Sequence, residues 1–144
     1  KSVDSIHKEL GHIMWEYVGM GRTEEGLKTA LKLLKDIRKE FETNLFIPGS
    51  TEGVNIELEK ALRLNDFITM GELIAYDALN RNESCGGHFR EEYQTEEGEA
   101  KRDDENYFYV SCWEYQGSDD VAPVLYKEPL VYEAIKVQTR NYKS

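Results

Sequence analysis

Residues 23–41, TEEGLKTALKLLKDIRKEF, carry the helical pattern that sets the fold of this chain. Apolar side chains recur there at spacings of three and four residues, which places them on one face of a helix. Thr23 is a good N-cap, and Glu24 and Glu25 lie in the first turn, where the helix dipole favours negative charge. Because Lys and Arg fill the other face, the stretch predicts a helix that packs on one side.

Similar patterns lie before and after this stretch. Apolar residues recur at helical spacing from Ile6 to Val18, and residues 19–21 (GMG) end that first helix. Pro48 begins a break, after which Asn55 can cap a third helix of about 25 residues. The third helix carries the apolar residues Leu58, Ala61, Leu62, Phe67, Met70, Leu73, Ile74 and Leu79. Three long amphipathic helices joined by short loops predict an antiparallel three-helix bundle, similar to a spectrin repeat.

A β-hairpin is predicted near the C-terminal end. Residues 107–115, YFYVSCWEY, are rich in aromatic and β-branched side chains and predict a strand. Residues 117–120 predict a turn, and residues 124–126 predict a second strand that pairs with the first. A short third stretch is expected at residues 131–132 or 135–137.

The size of the chain fits one folded unit. Its 144 residues allow one domain with a real core. We predict a mainly α fold, with the bundle over residues 1–81 and a polar loop plus a small β-rich C-terminal tail over residues 82–144, packed as one domain with the bundle. The chain opens without an initiator Met and runs almost at once into helical sequence, which suggests a fragment of a longer protein.

Charge and cysteine content exclude several classes of protein. The formal net charge of -10 argues against a nucleic-acid partner, because such binding needs a basic face. Docking on an anionic membrane surface is disfavoured for the same reason, and no apolar run is long enough for direct membrane insertion. The two cysteines, Cys85 and Cys112, predict free thiols in a reducing cytosol.

No complete catalytic or metal site assembles from the reactive residues. Cys85 and His88 have C-x-x-H spacing with Cys112 as a third candidate ligand, but a closed zinc site needs four. Cys85 as a nucleophile needs a base and a lowered pKa, and no oxyanion-stabilising group accompanies it. Residues 19–24 begin like a dinucleotide fingerprint, yet they follow a helix and lack the last glycine.

The polar residues between the bundle and the hairpin are expected to form a hydrogen-bonded seam between this chain and another domain. The seam residues are Glu83, Ser84, Gly86, Gly87, His88, Arg90, Arg102, Asp103, Asp104 and Asn106. Within it, residues 103–106 either cap a turn, which is favoured, or accept an Arg from another domain. Glu91 and Glu92 are interpreted as part of a solvated loop. Trp15 and Trp113 are expected as core or interface anchors.

Residues 80–93, NRNESCGGHFREEY, and residues 102–106, RDDEN, resemble the C-terminal domain of the succinate dehydrogenase and fumarate reductase flavoprotein subunit. That family typically has R-x-E-S-R-G-x-H-x-R followed by R-D-D-E-N-W, and residues 19–22 match its G-x-x-R turn. L-aspartate oxidase shares the first motif, but the R-D-D-E-N block and the long β tail favour the succinate and fumarate enzymes. Cys85 stands where the family usually has Arg, and a thiol cannot replace the five donors of a guanidinium.

The resemblance implies a support domain of an oxidoreductase that interconverts succinate and fumarate. The FAD of the parent would be bound by a flavin-binding domain of the same parent chain, so no catalytic, cofactor-binding or metal-binding residue is expected here. It further implies an iron-sulfur subunit as a partner and, through it, association with the cytoplasmic face of the inner membrane. A stand-alone acidic helical-bundle protein-binding module is the alternative function, and a small zinc protein is a third hypothesis.

Overall fold

Three long helices make up the first part of the computed structural model, which describes residues 1–142. They are α1 (Val3–Val18), α2 (Glu24–Asn44) and α3 (Ile56–Asn80). Two very short strands, β1 (Gly21–Arg22) and β2 (Phe89–Arg90), pair in parallel. A helical turn, α4 (Asp104–Tyr107), then leads into an antiparallel hairpin of β3 (Tyr109–Glu114) and β4 (Val124–Pro129).

The second and third helices begin at the predicted caps. Thr23 Oγ1 accepts a hydrogen bond from the amide of Gly26 at 3.0 Å. Asn55 Oδ1 accepts one from the amide of Leu58 at 3.1 Å. These side chains satisfy amide groups that have no partner inside the helix, so both cap predictions are confirmed.

Contacts at the helix ends establish the helix directions. The N-terminal amine of Lys1, just before α1, donates to the carbonyl oxygen of Asn44 at the end of α2. Lys60 Nζ lies 3.3 Å from Asp4 Oδ1, so α1 and α3 begin at the same end of the bundle. Helix α2 is therefore antiparallel to both. The mainly α fold class, an antiparallel three-helix bundle followed by a small β-rich C-terminal tail, is confirmed.

The apolar core lies between the three helices. Its largest buried aliphatic side chains include Ile6 of α1, Leu27 and Leu34 of α2, and Leu64 and Ile68 of α3. Full burial of one such side chain stabilises the fold by about 1.5–3 kcal/mol relative to exposure. Each helix therefore depends on the other two for its stability.

Helix α3 buries a different face from the one that its large apolar residues indicate. The residues that it buries are mostly small, namely Ala61, Leu64, Ile68, Gly71, Ala75 and Ala78. Most of the large apolar residues lie exposed instead, namely Leu58, Leu62, Phe67, Met70 and Ile74. The expectation of a simple amphipathic helix is wrong here. Apolar residues occupy two faces of α3, and small side chains are selected where helices approach closely.

Gly71 marks that close approach. A Cβ atom on Gly71 would lie 3.1 Å from Met14 Sδ and 3.5 Å from Leu10 Cδ1, both on α1. It would also lie 3.8 Å from Leu34 Cδ2 on α2. Because protein interiors are close-packed, the missing side chain allows α3 to contact both other helices at one level.

One buried ionic cluster joins α2 to α3 and to the hairpin. Arg38 Nε and Nη2 donate to the two carboxylate oxygens of Glu72 at 3.2 and 3.0 Å. Arg38 Nη2 also donates to Thr69 Oγ1 at 3.0 Å. On the side of the hairpin, Arg38 Nη1 lies 3.6 Å from Asp119 Oδ2. A bidentate pair of this kind specifies geometry as well as energy, so it aligns α2 with α3.

The hairpin packs against the C-terminal half of α3. Trp113 Nε1 donates to Asp77 Oδ1 at 2.9 Å, and the Trp113 ring meets Tyr76 edge-on at 5.0 Å between centroids. Trp113 is thus an anchor between elements of this chain, as predicted. Trp15, in contrast, is 84% exposed and is not part of the core.

The boundaries of the β segments differ from the prediction in two places. The strand predicted from residue 107 begins at Tyr109, because residues 104–107 form the helical turn α4. Within the described residues, neither 131–132 nor 135–137 forms a strand, so the predicted third stretch is wrong. Over the described range, no helix combines the length and the apolar character that crossing a membrane requires.

Candidate functional site

The C-terminal ends of α1 and α3 meet at a cluster of polar side chains, which we name the junction. It consists of Arg22, residues 81–93 and residues 102–106. At its centre β1 pairs with β2, with Gly21 opposite Phe89. This pairing joins the turn after α1 to the loop after α3, whereas the sequence indicated only that residues 19–21 end the first helix.

Arg90 is the most deeply buried charged side chain of the junction, with 1% of its surface exposed. Its Nη1 donates to the carbonyl oxygens of Ala78 and Leu79, both at 3.2 Å, in the last turn of α3. Its Nε pairs with Glu92 Oε2 at 3.1 Å, and its guanidinium carbon lies 5.3 Å from the centroid of the Tyr93 ring. A cation at a helix C-terminus satisfies free carbonyls and is favoured by the dipole, so Arg90 caps α3.

Glu92 and Ser84 hold Arg90 in position. Glu92 Oε1 accepts a hydrogen bond from the amide of Glu24, the first residue of α2. Burial alone would raise the pKa of Glu92, but its bonds to the Glu24 amide and to Arg90 outweigh burial and lower it. Ser84 Oγ, which is fully buried, accepts from the amide of Arg90 at 2.9 Å and donates to its carbonyl oxygen at 3.1 Å. These contacts link the start of α2 to the end of α3.

His88 bridges the ends of α1 and α3. Its Nδ1 lies 2.9 Å from Arg22 Nη1, and its Nε2 lies 2.9 Å from the carbonyl oxygen of Arg81. A guanidinium only donates and a carbonyl only accepts, so Nδ1 is the acceptor and Nε2 carries the proton. Arg22 Nε in turn donates to the carbonyl oxygens of Val18 and Gly19 at 3.3 and 3.1 Å, at the end of α1.

The surroundings of His88 favour its neutral form. Burial is the largest cause that lowers the pKa of His88, and the guanidinium groups of Arg22 and Arg90 lower it further. The hydrogen bond to the Arg81 carbonyl and the carboxylate of Glu83 oppose the shift without cancelling it. Burial likewise lowers the pKa of Arg22.

Arg81 connects the junction to β3. It donates through Nη2 to the carbonyl oxygen of Tyr109 at 2.7 Å and through Nη1 to that of Tyr107 at 3.1 Å. Its guanidinium carbon also lies 4.7 Å from the centroid of the Tyr109 ring. Arg81 Nη1 pairs with Glu83 Oε1 at 3.3 Å, and the other oxygen of this buried carboxylate accepts from the amide of Asp103 at 3.0 Å. The loop, α4 and β3 are thereby held together.

The R-D-D-E-N block caps the turn α4, as the favoured interpretation predicts. Asp103 Oδ1 accepts from the amide of Asn106 at 3.2 Å, and Asp103 Oδ2 accepts from Asn106 Nδ2 at 2.9 Å. Arg102 forms a two-point pair with Asp104, which raises the pKa of Arg102, and also donates to the carbonyl oxygen of Gln138 at 2.8 Å. The arginine paired with this block is thus one from the same chain.

The turn from Cys85 to His88 lies at the surface. The amide of Cys85 donates to the carbonyl oxygen of His88 at 2.7 Å, and the reverse bond measures 3.0 Å. Gly86 has a φ of +59°, a conformation that glycine adopts at little cost, and a Cβ on Gly86 or Gly87 would meet no atom within 4 Å. Burial, followed by the Glu83 carboxylate, raises the pKa of the Cys85 thiol. That shift is the opposite of what an activated nucleophile needs.

The described residues show no cluster of metal-ligating side chains. Among residues 1–142 no group of three or more His, Cys, Asp or Glu side chains is placed to hold a metal ion, so the zinc hypothesis finds no cluster there. Every buried side-chain nitrogen or oxygen in the same range has a hydrogen-bond partner. The junction arginines donate to backbone carbonyls, to carboxylates and, from Arg22, to the ring of His88.

Several junction residues were missing from the predicted seam. Arg81 follows the end of α3 directly, where a cation is favoured, and that position was a usable signal. Arg22 acts through a strand of two residues, which leaves no recognisable periodicity. Glu92 was interpreted as part of a solvated loop, yet it is paired with Arg90 and caps α2. Of the predicted seam, Glu83, Ser84 and Arg90 are buried inside the chain.

Comparison with known proteins gives the family. The sequence profile described as "Fumarate reductase flavoprotein C-term" matches residues 7–142. An uncharacterized FAD-dependent oxidoreductase of Methanocaldococcus jannaschii is 32% identical over 92 residues, 64% of this chain and 16% of that protein. The chloroplastic L-aspartate oxidase 2-b of Nicotiana tabacum is 37% identical over 88 residues, 61% of this chain and 13% of that protein. The fumarate reductase flavoprotein subunit of Helicobacter pylori is 28% identical over 130 residues, 90% of this chain and 17% of that protein.

A solved structure shares the fold. Mycobacterium smegmatis Sdh1 in complex with UQ1 superposes with a TM-score of 0.76 at 26% identity, over 91% of this chain and 21% of that chain. The chain thus spans only a small part of the length of the proteins that it matches. Because the family profile covers nearly all of its residues, the chain belongs to the family of fumarate reductase flavoprotein C-terminal domains.

Proposed function

We propose that this chain is the helical support domain of an FAD-dependent succinate dehydrogenase or fumarate reductase flavoprotein subunit, with no catalysis of its own. In this proposal the parent protein interconverts succinate and fumarate, and its FAD is held by residues outside this chain. The support domain packs against the flavin-binding domain of the same parent chain. We also propose its division into a bundle over residues 1–81 and a tail from residue 82, of which residues 143 and 144 lie outside the described range.

The exposed apolar face of α3 is the observation that carries this proposal. Leu62 is 65% exposed and Met70 is 52% exposed, and Leu58 and Ile74 are also exposed along the same helix. Large apolar side chains left exposed on one helix of a folded domain indicate a surface that meets another protein surface. The buried face of α3 already serves the bundle, so the second face is available to a neighbouring domain.

The junction supports the proposal in a different way. Its buried members fix the shape of the loop, while Gly86, Gly87, Asp104 and Asn106 are exposed. Exposed groups on a rigid scaffold are suited to contact a partner without further ordering cost. We propose that these residues form the part of the seam that faces the flavin-binding domain.

L-aspartate oxidase is the second candidate for the parent. The 37% identity to the tobacco enzyme over 88 residues favours it. The R-D-D-E-N block and the hairpin at the end of the chain favour the succinate and fumarate enzymes. Purified parent protein separates the two: oxidation of succinate with no oxidation of L-aspartate supports the first, and the reverse result supports the second.

The position of the parent in a larger assembly is part of the proposal. Relatives of this chain are named as subunits, including the Helicobacter pylori flavoprotein. We propose that the parent binds an iron-sulfur subunit and reaches the cytoplasmic face of the inner membrane through it. Co-purification of the intact parent with an iron-sulfur protein tests this step.

A binding experiment in trans tests the support-domain proposal. The chain is mixed with the parent flavoprotein truncated before this domain, and affinity is measured by titration calorimetry. Leu62→Glu and Met70→Glu are each expected to weaken binding at least about tenfold, equivalent to about 1.4 kcal/mol. Val54→Glu is the matched control, because Val54 is 99% exposed and lies before α3.

Three outcomes would contradict parts of the proposal. Equal affinity of Leu62→Glu and the control would remove α3 from the interface. Failure of the unaltered chain to bind the truncated flavoprotein, together with capture of an unrelated protein, would favour the stand-alone binding module. In the intact parent, Asp104→Asn should reduce flavin retention or succinate oxidation, and unchanged values of both would exclude the seam.

A further inference from the structure

We propose that His88 is an acid-sensitive link: when neutral it ties the end of α1 to the end of α3, and when protonated it releases Arg22 and loosens the pairing of β1 with β2. This inference rests on the geometry of the junction and not on the activity of a parent protein. It assigns to His88 a function that depends on its charge, beyond a place in a seam.

Both nitrogens of the His88 imidazole ring form hydrogen bonds. Nδ1 is the acceptor for Arg22 Nη1 at 2.9 Å, and Nε2 donates to the Arg81 carbonyl oxygen at 2.9 Å. An imidazolium has two donors and no acceptor. Protonation of His88 therefore leaves its bond to the Arg81 carbonyl intact. At Nδ1, however, the protonated ring and the Arg22 guanidinium would both be positively charged donors that face each other, so the bond between them is lost.

Positively charged side chains lie near the His88 ring. Arg22 approaches from β1 and Arg90 from β2, so two cations already lie near the site of the added proton. Glu83 is a carboxylate that opposes this positive charge, but its oxygens are engaged by Arg81 and by the Asp103 amide. The charged or titratable groups that line the same cleft are Arg22, Asp77, Arg81, Glu83, Cys85, Arg102, Asp104, Tyr107, Tyr109 and Tyr132.

Arg22 contributes to both the end of α1 and the pairing of β1 with β2. Its Nε caps the carbonyls of Val18 and Gly19, and its own carbonyl oxygen accepts from the amide of Glu91 at 2.8 Å. Displacing the Arg22 side chain thus disturbs the end of α1 and the strand pair at once. The bundle core lies apart from these contacts, so the loosening is confined to the junction.

The sign of the pH effect follows from the surroundings. Burial and the two guanidinium groups lower the pKa of His88 from its ordinary value of 6.5. The unfolded chain therefore binds a proton more readily than the folded chain does. The stabilisation by His88 is complete above pH 6.5 and is lost as the pH falls from there through the lower folded-state pKa.

Nuclear magnetic resonance tests the tautomer and the titration directly. Long-range proton–nitrogen spectra of the chain are recorded across pH 7.5 to 4.5, a window of roughly the histidine range. We expect His88 to carry its proton on Nε2 and to titrate below the ordinary histidine value of 6.5. A proton on Nδ1, or a midpoint at or above 6.5, would overturn the proposal.

A matched pair of variants tests the consequence. The unfolding constant of the unaltered chain should rise on acidification below pH 6.5 by up to about tenfold per pH unit from this one proton, with faster amide exchange at Glu91. His88→Gln keeps a donor toward Arg81 and should remove that part of the pH dependence, whereas the control His12→Gln should keep it. The same pH dependence in His88→Gln would overturn the proposal.

Arg22→Met should raise the His88 midpoint, and this measurement stands even if His88→Gln does not fold.

Discussion

The bundle core and the junction stabilise the same helices by different physics. Core side chains such as Leu34 and Ile68 contact their neighbours without directional bonds, so many apolar combinations of the right volume would serve. In the junction, Arg90 and Ser84 each satisfy defined backbone atoms, and a change of one group leaves another unpaired. The difference teaches that this domain tolerates volume-conserving apolar substitution at its centre better than it tolerates the loss of a polar group at the ends of its helices.

The comparison has one instructive exception. Arg38 lies within the bundle and forms a two-point pair with Glu72, so the centre of the domain also contains a directional contact. The Arg38 contacts, however, join only three segments: α2, α3 and the hairpin turn that carries Asp119. The junction joins the ends of α1 and α3, the start of α2, and β3, through one connected set of bonds. The junction differs from the Arg38 pair more in the number of elements that it connects than in its polarity.

The largest effect is expected from Arg90→Met, which removes the donors that cap the carbonyls at the end of α3. Hydrogen bonds to a charged group contribute about 1.5–3 kcal/mol, and we expect the free energy of unfolding to fall by this amount. Urea denaturation measures it. Arg63→Met is the control, because Arg63 pairs with Glu59 at an exposed site, where about 0.3–0.5 kcal/mol is usual. Equal losses in the two variants would remove the distinction between junction and surface.

An intermediate effect is expected from a conservative change in the core. Leu34→Met keeps the volume and apolar character of the side chain, so the loss of unfolding free energy should stay below about 1.5 kcal/mol. Leu34→Ala leaves a cavity and should cost about 2–5 kcal/mol, which shows that the position is sensitive to volume. Thermal and urea unfolding measure both. A loss from Leu34→Met as large as that from Arg90→Met would reverse the comparison.

The smallest effect is expected from Leu62→Gln on the outer face of α3. Leu62 is 65% exposed, so the unfolding free energy of the chain should change by no more than about 0.5 kcal/mol. Leu64→Gln, two positions along on the buried face, is the matched comparison and should be strongly destabilising. Similar losses in both variants would mean that the outer face of α3 contributes to the fold of the domain.

The helices were predictable from the sequence because their signals are local. The caps Thr23 and Asn55 and the periodic apolar residues of α2 act within one turn or two of the chain. The hairpin was predictable for the same reason, apart from the turn α4 at its start. The two faces of α3 were not separable, since which apolar face is buried depends on where α1 and α2 lie.

The sequence predicted where the junction lies, but it did not predict which residues pair with each other there. The glycines, His88 and Arg90 stand out in any reading of residues 82–106, but their partners come from elsewhere in the chain. Arg22 and Glu24 lie before and at the start of α2, and they contact His88 and Glu92 across 66 and 68 positions of the sequence. Long-range pairs of this kind leave no periodicity in the sequence.

The sequence by itself determined the three helices, the hairpin and, through residues 80–106, the resemblance to a flavoprotein family. These depend on backbone propensity, on periodicity and on short motifs, all of which are local. Only the tertiary structure decided that Arg90 caps α3, that His88 is held neutral between Arg22 and the Arg81 carbonyl, and that α3 has a second apolar face exposed. Each of these facts is set by which segments meet in space, because burial and hydrogen-bond partners belong to the folded chain.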